Sequence, residues 1–580
     1  MQQRKINSKF NKYEINPEDI FLDSSNLSSL EIEKLEGAIG KPISIWSSNF
    51  IFIFLIFIFL IFSFKMYQLS VENYAYYQTK ADNNRLNSTI LFANRGQIFD
   101  RNQIPLAYNL MTASNTEFLK REYIQANGFS NLLGYVNYPK SDNAGHFWQT
   151  EYLGQDGIEL YYNDLLNGIN GEKLVEKDVT SKIFGDNILK EAVAGYNLNL
   201  TIDADLQKVF FNSIKDTVLS REFISGTGIL MNINNGEILT TVNYPEYNNN
   251  LFTNPNSTED NKIISNTLIN KNTPFLNRAV AGLFAPGSVV KPLIAYAALN
   301  EEVISANKNL LSKGALIIKN KYGGVDSVFK DWKAHGWIDV VKALAKSSDE
   351  YFYQIGGGFE NQKGLGINKI DEYTKMFGLS NITGIDLPNE ATGIIPTPDW
   401  KRMNFIDGEW KLGNTYHTAI GQYGFQITPI ALIRYIAAIG NGGQLVTPHL
   451  LLSASSSHNQ NSDKNLENEN EIWPIVNLNL NLEHLKYVQT GMRGVVLPGG
   501  TEPNLNLQGL KIAAKSGTAE IGVKKLTVNS LIVGYFPYDK PKYAFVVIME
   551  KGKIGNVSGS VQAVIPLLTY LRDFKSEYLK

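Results

Sequence analysis

The distribution of hydrophobic and polar positions first sets one segment apart from the rest of the chain. From Phe50 to Phe64 every residue is apolar except Ser63, and the run extends back through Trp46 to Ile43. At about 1.5 Å per residue, a helix over this stretch would be about 33 Å long, enough to cross a hydrocarbon core. The pattern therefore predicts a transmembrane helix over residues 43–64, preceded by a polar tail over residues 1–42.

Beyond the apolar run, short mixed patterns predict a body that contains both helices and strands. Residues 67–85 predict a continuing helix, and residues 91–200 alternate strand-like runs with Gly, Asn and Asp turns, which is typical of a small mixed domain. After residue 225, the run ILMNI before the turn at 234–236 predicts a strand, and SLIVGYF and YAFVVIME predict a strand pair. The polar segment 453–471 predicts a mobile surface loop.

Composition and charge narrow the classes of function. Hydrophobic residues make up 43% of the 580 residues, which excludes wholesale disorder. The 54 Lys and Arg residues against 56 Asp and Glu residues leave no basic excess, so nucleic acid is not expected as a partner. The chain contains no Cys, which excludes disulfides, thiolate nucleophiles and cysteinyl zinc.

Candidate chemistry begins at the segment APGSVVKP, which contains Ser288 and Lys291. Pro and Gly predict a turn, and the apolar run that follows predicts a helix, so Ser288 would lie near a helix N-terminus. Residues three apart share a helical face, which would let the Lys291 amine approach the Ser288 hydroxyl and activate it as a nucleophile. Taken alone, Ser-x-x-Lys is a weak signal, and a helix-capping Ser beside a solvated Lys would be the favoured interpretation.

Two further elements favour the catalytic interpretation. Ser347-Ser348-Asp349 follows the first element, and Lys515-Ser516-Gly517-Thr518 ends a strand-like alternation near the C-terminus. Gly517 would let a substrate backbone approach a strand edge, while Lys515 and Thr518 offer hydrogen-bond donors for a carboxylate.

With these three elements in this order after an apolar helix, the chain resembles the active-site-serine penicillin-binding proteins. The closest likeness is to the class B transpeptidases, and among them to the elongation-type penicillin-binding protein 2 subfamily. Other segments that match the motifs of this family are residues 94–102, 157–168, 200–203, 384–388, 396–400 and 420–422. The resemblance implies an α+β fold, in which an antiparallel sheet flanked by helices follows a β-rich pedestal domain. We expect the pedestal, with a reduced head portion, at residues 65–200 and the transpeptidase domain at residues 201–580.

The resemblance also implies a role for each residue of the three elements. Ser288 would attack the carbonyl between two terminal D-alanines of a peptidoglycan stem peptide, and Lys291 would take its proton. Ser347 would relay a proton to the leaving amine, with Asp349 in the place usually held by Asn, and Lys515 would support the relay. Ser516, Gly517 and Thr518 would bind the substrate carboxylate, and backbone N–H groups of Ser288 and Thr518 would form the oxyanion hole.

Partners and location follow from the same resemblance. It implies that β-lactams inhibit the protein, that neither a cofactor nor a metal takes part, and that a SEDS-family glycosyltransferase and other membrane proteins of the elongation complex are partners. The cations that flank the apolar helix do not fix its orientation. The expected substrate therefore places the catalytic domain outside the bacterial cytoplasmic membrane, with a single-pass anchor.

Some alternatives stay open at this point. A β-lactam sensor module, or a D,D-carboxypeptidase or β-lactamase-type hydrolase, would share the serine site. Asp331, His335 and Asp339 have the four-residue spacing of metal ligands on a helix, but a polar helix or loop is the favoured interpretation. Some relatives carry a Cys where this chain has Ser348, which adds to that preference.

Overall fold

The computed structural model describes residues 45–83, 86–112, 115–143, 146–177, 183–456, 463–464, 473–522 and 526–579. These residues divide into two compact units. One consists of those within Met1–Asn87 and Val175–Gly185, and the other of those within Ser88–Leu174 and Asp186–Lys580.

The helices have the following bounds: α1 Ile45–Tyr67, α2 Tyr74–Asn83, α3 Ser130–Leu133, α4 Gly157–Tyr161, α5 Asn163–Asn167, α6 Ala204–Arg221, α7 Asn249–Thr253, α8 Thr258–Leu268, α9 Arg278–Ala281, α10 Lys291–Asn300, α11 Val340–Lys346, α12 Asp349–Gly357, α13 Gly366–Met376, α14 Pro398–Asn404, α15 Leu412–Ala419, α16 Pro429–Gly440, α17 Leu482–Val496 and α18 Gly559–Phe574. A π-helical turn at Gln68–Glu72 and 3₁₀ turns at Gly287–Val290, Pro503–Leu505 and Ser576–Leu579 complete the helical elements described.

The strands have the following bounds: β1 Leu86–Leu91, β2 Ile98–Phe99, β3 Pro105–Thr112, β4 Asn115–Tyr123, β5 Val136–Asn137, β6 Lys140–Ser141, β7 Phe147–Gln149, β8 Leu153–Gly154, β9 Gly171–Lys177, β10 Ile183–Lys190, β11 Tyr196–Leu200, β12 Ser225–Asn232, β13 Ile238–Tyr244, β14 Leu310–Ser312, β15 Ala315–Ile318, β16 Ser327–Lys330, β17 Gly336–Ile338, β18 Gln444–Leu445, β19 Leu451–Ser456, β20 Asp463–Lys464, β21 Val476–Asn477, β22 Ala513–Ile521, β23 Thr527–Phe536 and β24 Tyr543–Lys553.

The predicted apolar helix is present as α1, and residues 49–72 have the length and composition needed to cross a membrane. The expected continuation is also present, because the π turn and α2 follow directly. The side chains described along the apolar run are exposed, for example those of Phe50, Phe57 and Phe64, except for that of Ile58, which is partly buried. A helix that is apolar on every side and unburied is the kind that lipid would cover.

A five-stranded antiparallel sheet forms the centre of the larger unit, in the order β13-β12-β24-β23-β22. The predicted turn at 234–236 lies between β12 and β13, and the runs SLIVGYF and YAFVVIME pair as β23 and β24, so both predictions are confirmed. Helices cover both faces. On β24, Phe545 and Val547 pack with α6 and α18, whereas Val546 and Ile548 belong to the core that contains α10 and α16. This alternation follows from the two-residue period of a strand.

A second sheet, in the order β20-β19-β11-β2-β3-β4, combines early strands with β19. The prediction of a loop over 453–471 was therefore wrong at its start, since Ser453–Ser456 belong to β19 and pair with β11. Asp463–Lys464 form β20, and the rest of that segment lies outside the described residues. Beside this sheet, the buried Glu159 carboxylate accepts hydrogen bonds from Arg95 and Arg121, each at 2.7 Å.

Candidate active site

Ser288 lies in a 3₁₀ turn, Gly287–Val290, that leads directly into α10, so the prediction of a helix N-terminus is confirmed. Gly287 has φ +54°, and a Cβ there would come within 2.8 Å of the Thr518 carbonyl oxygen. Glycine is therefore required by both the backbone conformation and the close approach of β22. The Gly287 N–H donates to the Gly421 carbonyl at 2.9 Å, which fixes the turn that carries Ser288.

The Lys291 side chain is fully buried, and its amine reaches the middle element. Lys291 Nζ donates to Asp349 Oδ1 at 2.5 Å and to the Ser347 carbonyl at 2.9 Å, and lies 3.4 Å from Ser347 Oγ. The sequence predicted an approach to the Ser288 hydroxyl. Within the described part of the chain, the hydrogen bonds of Lys291 go instead to Ser347 and Asp349, so activation of Ser288 by this amine stays a prediction.

Ser347 and Asp349 lie at the junction between two helices. α11 ends at Lys346, Ser347 takes a left-handed conformation with φ +54°, and α12 begins at Asp349. Both lysines converge on the Ser347 hydroxyl, since Lys515 Nζ lies 2.8 Å from it and Lys291 Nζ lies 3.4 Å from it. A hydroxyl that contacts two amines is suitably placed to pass a proton between them.

Lys515 lies on β22, which is the edge strand of the central sheet. Its side chain is fully buried, and its amine donates to Ser347 Oγ and to the Ser516 carbonyl, both at 2.8 Å. Burial, reinforced by the charge of Lys291, lowers the pKa of Lys515 to about 7, against the opposing effect of Glu502 and Asp349. An amine with such a pKa changes its charge near neutral pH.

Gly517 lets β22 pack tightly against the turn that carries Ser288. A Cβ at Gly517 would come within 2.9 Å of both the Pro286 carbonyl oxygen and the Val289 side chain. The sequence analysis predicted that Gly517 lets a substrate backbone approach the strand edge. The contacts found are with the protein's own serine turn, and the approach of a substrate backbone to Gly517 stays a prediction.

One cleft of about 1000 Å³ unites the three elements. Of the predicted residues, it is lined by Ser288, Ser347, Asp349, Ser516, Gly517 and Thr518. Lys291 and Lys515 are buried and reach the Ser347 hydroxyl, so they complete the group of eight. The cleft is also lined by residues that the sequence analysis did not single out: Lys330, Trp332, Tyr353, Tyr423, Thr501 and Glu502.

Asp331 has a structural role that the sequence analysis missed. Asp331 Oδ2 accepts hydrogen bonds from Ser348 Oγ at 2.7 Å and from the Glu350 N–H at 3.0 Å, and so supports the turn between Ser347 and Asp349. Asp331 also lies close to His335 in the structure: His335 Nε2 lies 3.6 Å from Asp331 Oδ1, and both side chains are buried.

Asp339, the third residue of that spacing, accepts a hydrogen bond from the Lys342 N–H and caps α11. Among the residues that the structure describes, no three His, Cys, Asp or Glu side chains are arranged to hold a metal ion. The favoured interpretation was a polar helix or loop. Asp331 and His335 lie in the segment between β16 and β17, and Asp339 lies between β17 and α11.

The fold and the cleft define a serine acyltransferase of the penicillin-binding type. Residues 226–566 match the model of the penicillin binding protein transpeptidase domain, and residues 114–200 match that of the penicillin-binding protein dimerisation domain. The chain belongs to the penicillin-binding protein transpeptidase family.

Individual relatives point to one branch of this family. Peptidoglycan D,D-transpeptidase MrdA from Haemophilus influenzae is 30% identical over 483 residues, which cover 79% of this chain and 69% of the relative. MrdA from Escherichia coli K12 is 27% identical over 598 residues, which cover 86% of this chain and 90% of the relative. The solved structure of Pseudomonas aeruginosa PBP2 in complex with WCK 5153 has a TM-score of 0.67 and 26% identity, and covers 84% of this chain and 98% of that one.

A fourth comparison concerns a complex. PBP2 from Helicobacter pylori, solved with MreC, has a TM-score of 0.67 and 25% identity, and covers 84% of this chain and 99% of that chain. The predicted α+β transpeptidase fold with a preceding dimerisation-type domain is thereby confirmed, as is the resemblance to the penicillin-binding protein 2 subfamily.

Proposed function

We propose that this protein is a peptidoglycan D,D-transpeptidase that cross-links stem peptides during cell-wall elongation. The observation that carries the proposal is the meeting of Ser288, Ser347 and the strand 515–518 around one cleft, with two buried lysines bonded to Ser347. The relatives named MrdA support the substrate class and the elongation role.

The first half of the reaction forms an acyl-enzyme. Ser288 Oγ attacks the carbonyl carbon between the two terminal D-alanines, and its proton passes to Lys291. The negative charge that develops on the carbonyl oxygen is stabilised by the backbone N–H groups of Ser288 and Thr518. The nearness of the Gly287 turn to the Thr518 backbone supports this placement. The C–N bond then breaks, and the departing D-alanine amine takes a proton through the Ser347 hydroxyl.

The second half transfers the acyl group. An amine of a neighbouring stem peptide attacks the ester carbonyl and loses a proton to the same relay, and Ser288 Oγ leaves with a proton restored. Lys515 supports the relay and, with Ser516 and Thr518, binds the donor carboxylate. The ion pair between Lys291 and Asp349 implies that Lys291 must leave its carboxylate partner, or transfer its proton, before it can accept the Ser288 proton.

The membrane anchor and the partners complete the proposal. The helix α1 anchors the protein to a membrane, and we place the catalytic body outside the bacterial cytoplasmic membrane because its substrate is assembled there. We infer that a SEDS-family glycosyltransferase supplies the glycan strands. The Helicobacter pylori relative solved with MreC supports the inference that other membrane proteins of the elongation complex bind this chain too.

Covalent labelling tests the assignment of the nucleophile. Fluorescent penicillin should label the full-length protein, and Ser288→Ala should abolish labelling. Ser265→Ala removes an exposed serine on α8 and should label like the wild type. Persistent labelling of the Ser288→Ala variant would refute the assignment.

Product analysis tests the reaction. With a polymerase and a lipid-linked pentapeptide substrate, the wild type should produce cross-linked dimers that are absent with Ser288→Ala. Tetrapeptides without dimers would instead indicate a carboxypeptidase. Acylation without either product would indicate a sensor.

A further inference from the structure

Glu520 lies on the strand that forms one wall of the cleft, two residues beyond Thr518. It belongs to β22, the edge strand of the central sheet, and pairs with Val528 on β23. Side chains two residues apart on a strand point to the same face, so Ser516, Thr518 and Glu520 form one row. All three line the cleft, and the Glu520 side chain is exposed.

The main chain of β22 at Thr518 faces away from β23, toward the turn that leads into α10. A Cβ on Gly287 would come within 2.8 Å of the Thr518 carbonyl oxygen, which also accepts a hydrogen bond from Gln422 Nε2 at 3.5 Å. In an antiparallel sheet, the N–H and C=O groups of a residue point to the same side of the strand, and those of the residue two positions on do the same. The main chain of Glu520 therefore faces the same edge, where an extended peptide can pair with it.

The proposed reaction sets the direction in which a donor peptide lies along this edge. Its terminal carboxylate lies between Ser516 and Thr518, and its reacting carbonyl oxygen lies at the Thr518 N–H. The donor therefore runs toward its own N-terminus as β22 runs toward its C-terminus, so the two chains are antiparallel. At about 3.3 Å per residue, the donor residue that precedes the two D-alanines lies opposite Glu520.

The charge of Glu520 indicates what this donor residue carries. An exposed carboxylate at a peptide-binding edge favours a cation and disfavours an anion. In the proposed second half of the reaction, an amine of a neighbouring stem peptide attacks the acyl-enzyme. Because stem peptides of one kind serve as donors and as acceptors, each donor carries such an amine as well. Lys330 also lines the cleft, from β16, so Glu520 sets the preference only if removal of its carboxylate abolishes that preference.

The other carboxylates that line the cleft have different positions and partners. Asp349 is paired with Lys291 at 2.5 Å. Glu502 lies near the opposite end of the row, since the adjacent Thr501 has its Oγ1 atom 3.3 Å from Ser516 Oγ. A charge at that end acts on the carboxylate of the donor and not on the residue that precedes the two D-alanines.

We propose that Glu520 is a specificity-determining residue that binds the side-chain ammonium group of the donor residue preceding the two D-alanines. This inference rests on the proposed function, which supplies the direction of the donor along β22. Because Glu520 is exposed, the ion pair forms in contact with water. Glu520 selects among donors and takes no part in the transfer of the acyl group.

The test compares two synthetic donors that differ only in this charge. Both end in D-alanyl-D-thiolactate, preceded by an L-lysine with an acetylated α-amine, and in one of them the side-chain amine is acetylated too. Ser288 Oγ attacks the thioester carbonyl carbon, the C–S bond breaks, and the thiol leaves with the serine proton. A thiol reagent follows this release, and the full-length protein does not consume the reagent because it contains no Cys.

The measured quantity is the ratio of kcat/KM for the charged donor to kcat/KM for the acetylated donor. In the wild type, the charged donor should be favoured by about threefold to fivefold, the size of an exposed ion pair, and the ratio should approach one in high salt. In Glu520→Gln the ratio should be near one, and in Glu520→Lys it should fall below one. Acylation by benzylpenicillin, which carries no ammonium group, should stay near the wild-type rate in both variants.

Glu502→Gln is the matched control, because it removes a carboxylate from the other end of the same cleft. It should leave the ratio at the wild-type value. A wild type without a preference for the charged donor, a preference that survives in Glu520→Gln or Glu520→Lys, or an equal loss of preference in Glu502→Gln would each overturn the proposal. Failure of the proposed function would differ, since neither the thioesters nor benzylpenicillin would then acylate Ser288.

Discussion

Lys291 Nζ lies 2.5 Å from Asp349 Oδ1, so the amine proposed to activate Ser288 forms an ion pair with the last residue of the middle element. The Lys291 side chain is fully buried, whereas that of Asp349 is 25% exposed. The same carboxylate raises the pKa of Lys515. Asp349 therefore pairs directly with one of the two buried lysines and influences the charge of the other.

Asp349→Asn should move the alkaline limb of the acylation profile to lower pH. Asn keeps the shape and the acceptor oxygen but removes a charge that raises the pKa of Lys515. The pKa of Lys515 then falls below about 7, so its ammonium group loses its proton at a lower pH than in the wild type. The measurement is the acylation rate constant for fluorescent penicillin across pH.

A control for this variant is Asp371→Asn, which breaks an ion pair with Lys375 on α13, outside the cleft. It should leave the alkaline limb of the acylation profile in place. An alkaline limb that stays fixed in Asp349→Asn, or moves to higher pH, would contradict the electrostatic role given to Asp349.

Lys515→Met should stabilise the fold at neutral pH while it impairs acylation. Burial, with the charge of Lys291, lowers the pKa of Lys515 to about 7 from the usual 10.5. Between these values the unfolded chain binds a proton at Lys515 that the folded chain does not, so the free energy of unfolding rises with pH in this window. We expect Lys515→Met to be more stable by about 1–2 kcal/mol at neutral or lower pH, with the difference shrinking as pH rises toward 10.5.

Denaturant unfolding at several pH values measures this difference in stability. The acylation rate constant of Lys515→Met should fall by about two orders of magnitude relative to the wild type. Lys511→Met is the control, because Lys511 is an exposed lysine paired with Asp539. It should show no stability gain that depends on pH. A destabilised Lys515→Met variant would mean that the lost hydrogen bonds to Ser347 and Ser516 outweigh the relief of a buried charge.

The sequence predicted the elements of the site well because they are local. The turn before Ser288, the helix after it and the strand around Lys515 each follow from turn residues and from periodicity over a few positions. The apolar runs SLIVGYF and YAFVVIME likewise predicted the strand pair that β23 and β24 form.

Partners across the fold could not be predicted in the same way. Arg121 lies 38 positions from Glu159, and Glu502 lies on a loop whose sequence carries no periodic signal. Lys291 was expected to contact Ser288, three residues away, but its hydrogen bonds run to Asp349, 58 positions away. Helical spacing predicts which residues lie on the same face of a helix. The partner that a long side chain contacts depends on tertiary packing, which the spacing does not specify.

Asp331→Ala should slow acylation by loosening the turn that holds Ser347 and Asp349. The Asp331 carboxylate accepts from the buried Ser348 hydroxyl and from the Glu350 N–H, and both donors would lose their partner. We expect a loss of about 1–3 kcal/mol in the free energy of unfolding and a fall of about tenfold or more in the acylation rate.

The matched control for Asp331→Ala is Asp339→Ala, which removes the cap of α11. It should lower stability by about 1 kcal/mol and leave the acylation rate of the folded protein within about twofold. Equal losses of acylation in both variants would show that Asp331 acts through general stability and not on the turn.

Glu159→Gln should destabilise the region before the transpeptidase domain without changing the chemistry of Ser288. Burial raises the pKa of Glu159, but the charges of Arg121 and Arg95 outweigh it, so the pKa lies below its usual value. The carboxylate therefore contributes stability above the usual pKa of a glutamate, and this stability is lost as pH falls through the lowered pKa.

Replacing Glu159 by Gln leaves two buried guanidinium groups without a countercharge, which costs about 3–5 kcal/mol. Denaturant unfolding at neutral pH measures this loss. Glu172→Gln, at an exposed carboxylate on β9, should change the free energy of unfolding by less than about 0.5 kcal/mol. Labelling of Ser288 by penicillin, corrected for the folded fraction, should stay at the wild-type rate, because Glu159 touches neither the cleft nor either lysine. A slower corrected rate would instead show that the buried arginine pair influences the catalytic cleft through the fold.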